Sequence, residues 1–226
     1  MKTASAPARR GQLSRSQILS TALELVDQDG LDALTMRRLA EQLKVDPMSI
    51  YNYVDGKDGL LGGVAEALWQ EVELAPAKGG WKQVLRSFAV SLRDLARAHP
   101  QAYILFCRAC LTEPALRRME VSLLALERAG LDRPRAAEML RTLFSYAVGY
   151  ALLELSAAAP TGSTELERLV NLTRSVPREA PAHLVEVARL IADCDMDDQF
   201  QLGLDLILSG LERSLKQKTK PFEPES

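Results

Sequence analysis

Cysteine is scarce. Three in 226 residues cannot staple a chain of this length, and an odd, low count fits a reducing cytosol better than a disulfide scaffold. Histidine is scarcer. His99 and His183 are the only two, which thins the field of acid–base and metal enzymes. No run of 18 uncharged apolar residues occurs; the longest candidate, 142–153, is too short to span a bilayer, so no membrane is expected. Lys2, Arg9 and Arg10 have no apolar stretch behind them, so the start does not read as a secretory signal. The charge balance offers no cue for nucleic acid either. The net charge is -2 and the pI about 5.8, where a markedly basic domain would be the usual sign. No alternating β-branched run suggests a strand, no repeat of fixed period suggests a solenoid, and no nucleophile-elbow, Walker or dinucleotide pattern appears. What remains is ordinary for a globular chain, with 47% apolar and 26% charged residues and length for one large domain or a small one plus a medium one.

The pattern predicts helix nearly throughout. Leu, Ala, Arg and Glu dominate, and apolar residues recur at three and four rather than at two. Ser14 with Gln17 makes a capping box, followed by an apolar face of Ile18, Leu19, Ala22, Leu23, Leu25 and Val26. Gly30 stops that helix. Thr35 caps a second, ending at Leu43. Asp46 caps a third, brief helix with Pro47 at its first position, where a missing N–H costs nothing. A fourth is expected over 57–74. The run PAKGG at 76–80 is the best boundary on composition. Beyond it helices are expected over 81–98, 101–111, 113–129, 134–158, within 182–193, and over 196–216, with a partly helical loop at 160–181.

Residues 36–53, MRRLAEQLKVDPMSIYNY, carry the strongest signal. Two short helices crossing at a tight turn need a small residue where they meet, and Ala40 supplies it. Leu39, Leu43, Val45 and Ile50 are the apolar anchors. The third helix is too short and too polar outside Ile50 to be a core element by itself. Its other side offers Met48, Ser49, Asn52 and Tyr53, whose hydroxyls, amide and apolar atoms suit base edges in a major groove. Tyr51 and Lys57 flank that side and suit phosphate, and Arg37 reaches either. The plainer alternative is a three-helix core motif inside an all-α domain.

Here the chain resembles the tetracycline-repressor-like (TetR/AcrR) transcription regulators. The matching stretches are ILSTALELVDQDGLDALTMRRLAEQL and VDPMSIYNYVDGKDGLL, and, more loosely, His99-Pro100, the AGL of 129–131 and the SYAVGY of 145–150. The resemblance implies an all-α protein with a three-helix helix-turn-helix DNA-binding domain at 14–75 and a helical ligand-binding and dimerisation domain at 81–218. A basic arm at 1–13 and a tail at 219–226 flank them. It implies base reading by Arg37, Pro47, Met48, Ser49, Asn52 and Tyr53, and phosphate clamping by Thr35, Tyr51 and Lys57. It implies double-stranded DNA, a small hydrophobic effector and a second copy of the chain as partners, no cofactor, and a cytoplasmic repressor released from a palindromic operator. Three departures stand out. Lys44 replaces the glycine usual in the turn, at about 1 kcal/mol if it is left-handed. Met48 and Asn52 are not the commonest reading residues. Gly59, Gly62 and Gly63 crowd the helix that joins the two domains, at about 1 kcal/mol each relative to Ala, and either soften it or admit a neighbouring helix.

The remaining expectations concern charge, dimer and pocket. Residues 16–60 hold Arg37, Arg38, Lys44 and Lys57 against eight acids, so bases must face the groove and few phosphates are contacted per subunit. The helix at 134–158, apolar nearly all round, and the last helix, with a stripe of Phe200, Leu204, Ile207, Leu208, Leu211 and Leu215 beside Gly203 and Gly210, suggest a two-fold four-helix interface. Phe88, Leu92, Tyr103, Phe106, Cys107, Cys110, Met119, Leu123, Phe144 and Val148 are candidates to line a cavity. Tetracycline is disfavoured as its ligand, because that molecule arrives with a metal and needs imidazole nearby, and only His99 is placed to offer one. Cys107 and Cys110 form a CxxC without a second CxxC or a histidine pair, so a metal or redox role is disfavoured. Asp193, Asp195 and Asp197 lack the Gly and Glu of a calcium loop and read as helix caps. Two other functions stay open: an all-α enzyme, which needs a convergent acid–base pair, and a helical protein binding DNA or a partner without an effector.

Overall fold

The computed structural model describes residues 13–76, 79–109, 112–158 and 195–216, with isolated helical positions at 183, 184, 186, 187 and 190. The expected arm up to residue 12, the whole 160–181 loop and the tail lie outside them. The described residues are helical, with no strand among them. The chain divides into two compact units, one of residues up to Leu68 with Gln101–Ala109, the other of Trp69–Pro100 with the residues from 110 onward.

The first unit contains α1 (Arg15–Asp29), a 3-10 turn (Leu31–Ala33), α2 (Met36–Leu43), α3 (Pro47–Tyr51), most of α4 (Gly56–Glu71) and α6 (Tyr103–Arg108). Local chemistry sets each boundary. The Ser14 side chain accepts from Gln17 N at 3.2 Å while Gln17 Oε1 accepts from Ser14 N at 3.2 Å, completing the capping box. Thr35 Oγ1 accepts from Arg38 N at 3.2 Å. Gly30 has the expected positive φ, +83°, but an extended ψ. Ile18, Ala22, Val26, Leu34, Leu39, Ile50, Leu60 and Val64 are fully buried and form the core. Gly63 is part of it: a Cβ there would stand 2.5 Å from Leu19 Cδ2, so at this position the glycine admits a neighbouring helix. Nothing lies within 4 Å of the same point at Gly62.

The second unit packs α5 (Gly80–Ala98) against α7 (Glu113–Arg128) and α8 (Arg133–Ala158), with α9 (Met196–Lys216) laid on α8 and α5. Phe144 stacks between Trp69 and Phe88, with ring centroids 6.1 and 6.5 Å away. Gly203 lets α9 approach α8: a Cβ there would meet the Tyr146 hydroxyl, which instead donates to Phe200 O at 2.8 Å. Of the stripe expected to face a second copy, four residues are buried within the chain, while Ile207 and Leu215 are half-buried. Phe200, Leu204, Leu208 and Leu211 are buried, Phe200 against the Tyr146 and Tyr150 rings of α8. The apolar side left open on α9 is the opposite one, Leu202 and Leu206, 60% and 62% exposed, and on α8 it is Leu152 and Leu153.

A charge cluster ties the end of α8 to the start of α9. Arg93 on α5, almost wholly buried, donates to Glu154 Oε2 at 2.6 Å and to Met196 O at 3.0 Å, pairs with Asp197 at 2.8 Å, and lies over the Tyr150 and Phe200 rings. Arg97 joins Glu154 and Asp197 from the next turn. Asp195 caps α9, its Oδ1 accepting from Asp197 N and Asp198 N.

Candidate nucleic-acid interface and ligand cavity

The turn between α2 and α3 closes through backbone. Lys44 N donates to Glu41 O and Val45 N to Ala40 O, at 3.2 and 3.0 Å, around the buried Ala40. Lys44 is left-handed, φ 56° and ψ 42°, the one non-glycine residue with positive φ among those described. Asp46 Oδ1 then accepts from Met48 N at 2.8 Å to start α3.

α3 is five residues long and is held by one buried side chain, Ile50. Met48, Tyr51, Asn52 and Tyr53 are exposed, Met48 to 69%, while Pro47 and Ser49 are half-buried. Asn52 is the cap that ends the helix and Tyr53 stands in the turn beyond it. A short helix that keeps its large side chains in water and spends one on the core presents a surface rather than a core element. The neighbouring charges are divided. Arg37 is exposed but pairs with Glu41 at 2.9 Å, and Arg38 pairs with Asp29 at 2.6 Å. Lys44 and Lys57 are exposed and carry no ion pair among the described residues. Thr35 is exposed, with its hydroxyl oxygen engaged as the α2 cap.

The second unit holds a cavity of about 860 Å³ between α7 and α8. Leu116, Met119 and Leu123 of α7 face Ala137, Leu140 and Phe144 of α8 across it, with Glu113, Arg117, Glu120, Arg141 and Ser145 also on its lining. Of the expected pocket residues, Leu123, Phe144 and Met119 are brought together here. Phe88 and Leu92 are buried on α5 as core, and Val148 is half-buried on α8. Tyr103 and Phe106 are fully buried in the first unit, stacked on each other at 5.2 Å. Burial pushes the Tyr103 phenol far above its ordinary value, so it stays neutral. Cys110 lies outside the described residues, and Cys107 is half-buried.

Sequence reasoning missed one residue beside this cavity. Arg118, on α7 between the lining residues Arg117 and Met119, donates to Gln70 O at 2.8 Å and Trp69 O at 3.5 Å. These are carbonyls of the last turn of α4, which need partners outside the helix. A lone arginine in a helix rich in arginine gives no sign of such a role. His99, the expected imidazole, ends α5 and bonds Glu71 at 2.9 Å. No imidazole lies on the described cavity lining, and no cluster of metal-ligating side chains occurs among the described residues. No helix of the described residues is long and apolar enough to cross a membrane.

Comparison with known proteins agrees with this layout. The profile of bacterial regulatory proteins of the tetR family matches residues 18–64, and that of the tetracyclin repressor-like C-terminal domain matches 75–215. The tetracycline repressor protein class G of Vibrio anguillarum is 29% identical over 89% of this chain and 95% of its own length. The HTH-type transcriptional repressor DrrR1 of Streptomyces coeruleorubidus is 28% identical, over 94% and 82%. Among solved structures, apo ActR of Streptomyces coelicolor superposes with a TM-score of 0.74 at 31% identity, over 96% of this chain and all of that one. ActR in complex with actinorhodin gives 0.74 at 32%, over 91% and 99%. This chain therefore belongs to the TetR family: it is a ligand-responsive, DNA-binding transcriptional repressor, not an enzyme, with DNA, an effector and a second copy of itself as partners.

Proposed function

We propose that α3 and its flanks read the operator, with Met48, Ser49, Asn52 and Tyr53 toward base edges together with Arg37 and Pro47, and Thr35, Tyr51 and Lys57 toward phosphate. The observation that supports this best is the outward set of α3, anchored by Ile50 alone with its largest side chains in solvent. One helix of this length touches too few bases for useful specificity. Two copies related by a two-fold axis read a palindrome whose half-sites lie about 34–36 Å apart. The exposed leucines of α8 and α9 supply an apolar surface for that pairing. A regulator of this kind acts in the cytoplasm, where the DNA is.

The effector site proposed is the cavity between α7 and α8, and the domain division 14–75 and 81–218 assigns the two tasks. Relatives support a small-molecule effector: ActR is known in complex with actinorhodin, and a repressor of Acinetobacter baumannii in complex with minocycline. With no imidazole on the described lining, the ligand proposed here is a metal-free, largely apolar one. Binding wedges α7 against α8. Arg118 moves with α7 and carries the displacement to the end of α4, whose other end follows directly on the α3 turn. The result is a shift of population between operator-competent and incompetent states.

Alanine at Asn52 and Tyr51 tests the reading face. Each base contact is worth about 1–3 kcal/mol, so Asn52→Ala lowers operator affinity about tenfold or more and relaxes selectivity at one position. Tyr51→Ala weakens all sequences alike. Wild-type affinity in both variants contradicts the assignment.

A further inference from the structure

We infer that Met48 reads a thymine of the operator through the C5 methyl group, so that each half-site carries a T·A pair selected by apolar contact. This rests on the assignment of α3 as the reading helix and deepens it by naming a base.

Met48 is the most exposed large apolar side chain among the described residues, at 69%. The fold makes little use of it. Ile50 takes the core contact of α3, and Pro47 and Ser49 on either side of Met48 are half-buried, so Met48 stands out beyond both. Its N–H donates to Asp46 Oδ1 at 2.8 Å, a bond of the backbone that asks nothing of the side chain.

The chemistry of the side chain decides what it can recognise. Of the residues assigned to base edges, Arg37, Ser49, Asn52 and Tyr53 carry donors or acceptors, and Arg37 is paired with Glu41 at 2.9 Å. Met48 has no donor and only a weak acceptor in its thioether. It cannot tell a donor from an acceptor on a base edge. In the major groove G, C and A present only such polar groups, whereas T adds a methyl. Against a polar edge Met48 would displace water and return no hydrogen bond. Against the methyl, apolar surface is buried on both sides. Its unbranched chain, with three rotatable bonds, adapts to a small protruding group. Lacking a donor, it has nothing to offer a phosphate oxygen either.

The test uses the full-length protein and the operator it selects from a random pool. Each thymine of a half-site is replaced in turn, together with its two-fold mate, by deoxyuridine, which removes the methyl and keeps every hydrogen-bonding group. The readout is the ratio of affinities, thymine duplex over deoxyuridine duplex. In the wild type one position gives a ratio of about fifteen, the expected effect of one buried methyl in each half-site. Met48→Ala brings the ratio at that position to unity, and Met48→Leu, apolar and of similar size, keeps most of it. Because the side chain is exposed, Met48→Ala melts as the wild type does. A half-site without thymine, or ratios that are the same in the wild type and Met48→Ala at every position, overturns the inference; the reading face still stands if Asn52→Ala weakens the same operator. If Asn52→Ala and Met48→Ala both bind the operator as the wild type does, α3 is not the reading helix and the inference falls with that assignment.

Discussion

Lys44 holds a left-handed conformation at a cost of about 1 kcal/mol, and the turn keeps it because its N–H and that of Val45 both find carbonyls of α2. That position was legible in the sequence, since the chain must reverse between Leu43 and Asp46 whatever residue stands there. The glycines of α4 were not. Gly62 and Gly63 look alike in sequence, yet a Cβ at Gly63 would collide with the buried Leu19 and one at Gly62 meets nothing. Gly62→Ala is therefore expected to raise stability by about 0.5–1 kcal/mol, and Gly63→Ala to lower it by about 1–3 kcal/mol through overpacking. Denaturant titration of the two variants checks this, and equal effects would mean that α1 and α4 do not approach as described.

Element boundaries were the most legible feature, because caps are local. The capping box at Ser14, Thr35, Asp46 and the start of α9 all stand where side-chain oxygens meet orphan amides. Which face of an element is spent on which neighbour was not legible. Four of the six residues of the α9 stripe read as an interface are buried within the chain, and Leu202 and Leu206 on the other side remain exposed. The cluster at the ends of α8 and α9 was invisible for a different reason, since Arg97 and Asp197 are 100 residues apart. Burial alone would raise the Glu154 carboxyl, but hydrogen bonds from Arg93 and Arg97 outweigh it and hold the group below its ordinary 4.5. The Arg97 hydrogen bond likewise holds Asp197 below 3.8. Both groups bind protons more weakly folded than unfolded, so their contribution is complete above those ordinary values. It is lost as the pH falls below them through the folded values. Thermal stability of the wild type should thus drop on acidification below about pH 4.5. Glu154→Gln should be less stable at neutral pH and show a flatter acid decline; parallel curves would remove the cluster from any part in stability.

For the molecule as a whole, the family and the outward-facing short helix α3 were legible because the 36–53 pattern combines a turn, caps and a single apolar anchor. The α7–α8 cavity holds some of the residues expected to line a pocket. Leu123, Phe144 and Met119 line it because apolar spacing marks helix faces, while Phe88 and Leu92, chosen on the same criterion, are buried on α5. A net charge of -2 leaves little general attraction to DNA, so association depends on pairing two reading helices. Leu206→Glu, which puts a charge on the exposed apolar side of α9, is expected to shift the protein toward monomer in sedimentation and to cost operator binding at least a hundredfold. A stable dimer of that variant would move the interface elsewhere. The central claim, that α3 of a two-fold dimer reads a palindrome, is met most directly by selecting DNA from a random pool and measuring competition between the selected site and random duplex. The account predicts a two-fold symmetric site preferred by about 10³ or more, with the preference lost in an Asn52→Ala, Tyr53→Ala double variant. A preference near unity, or one that survives that variant, would contradict it.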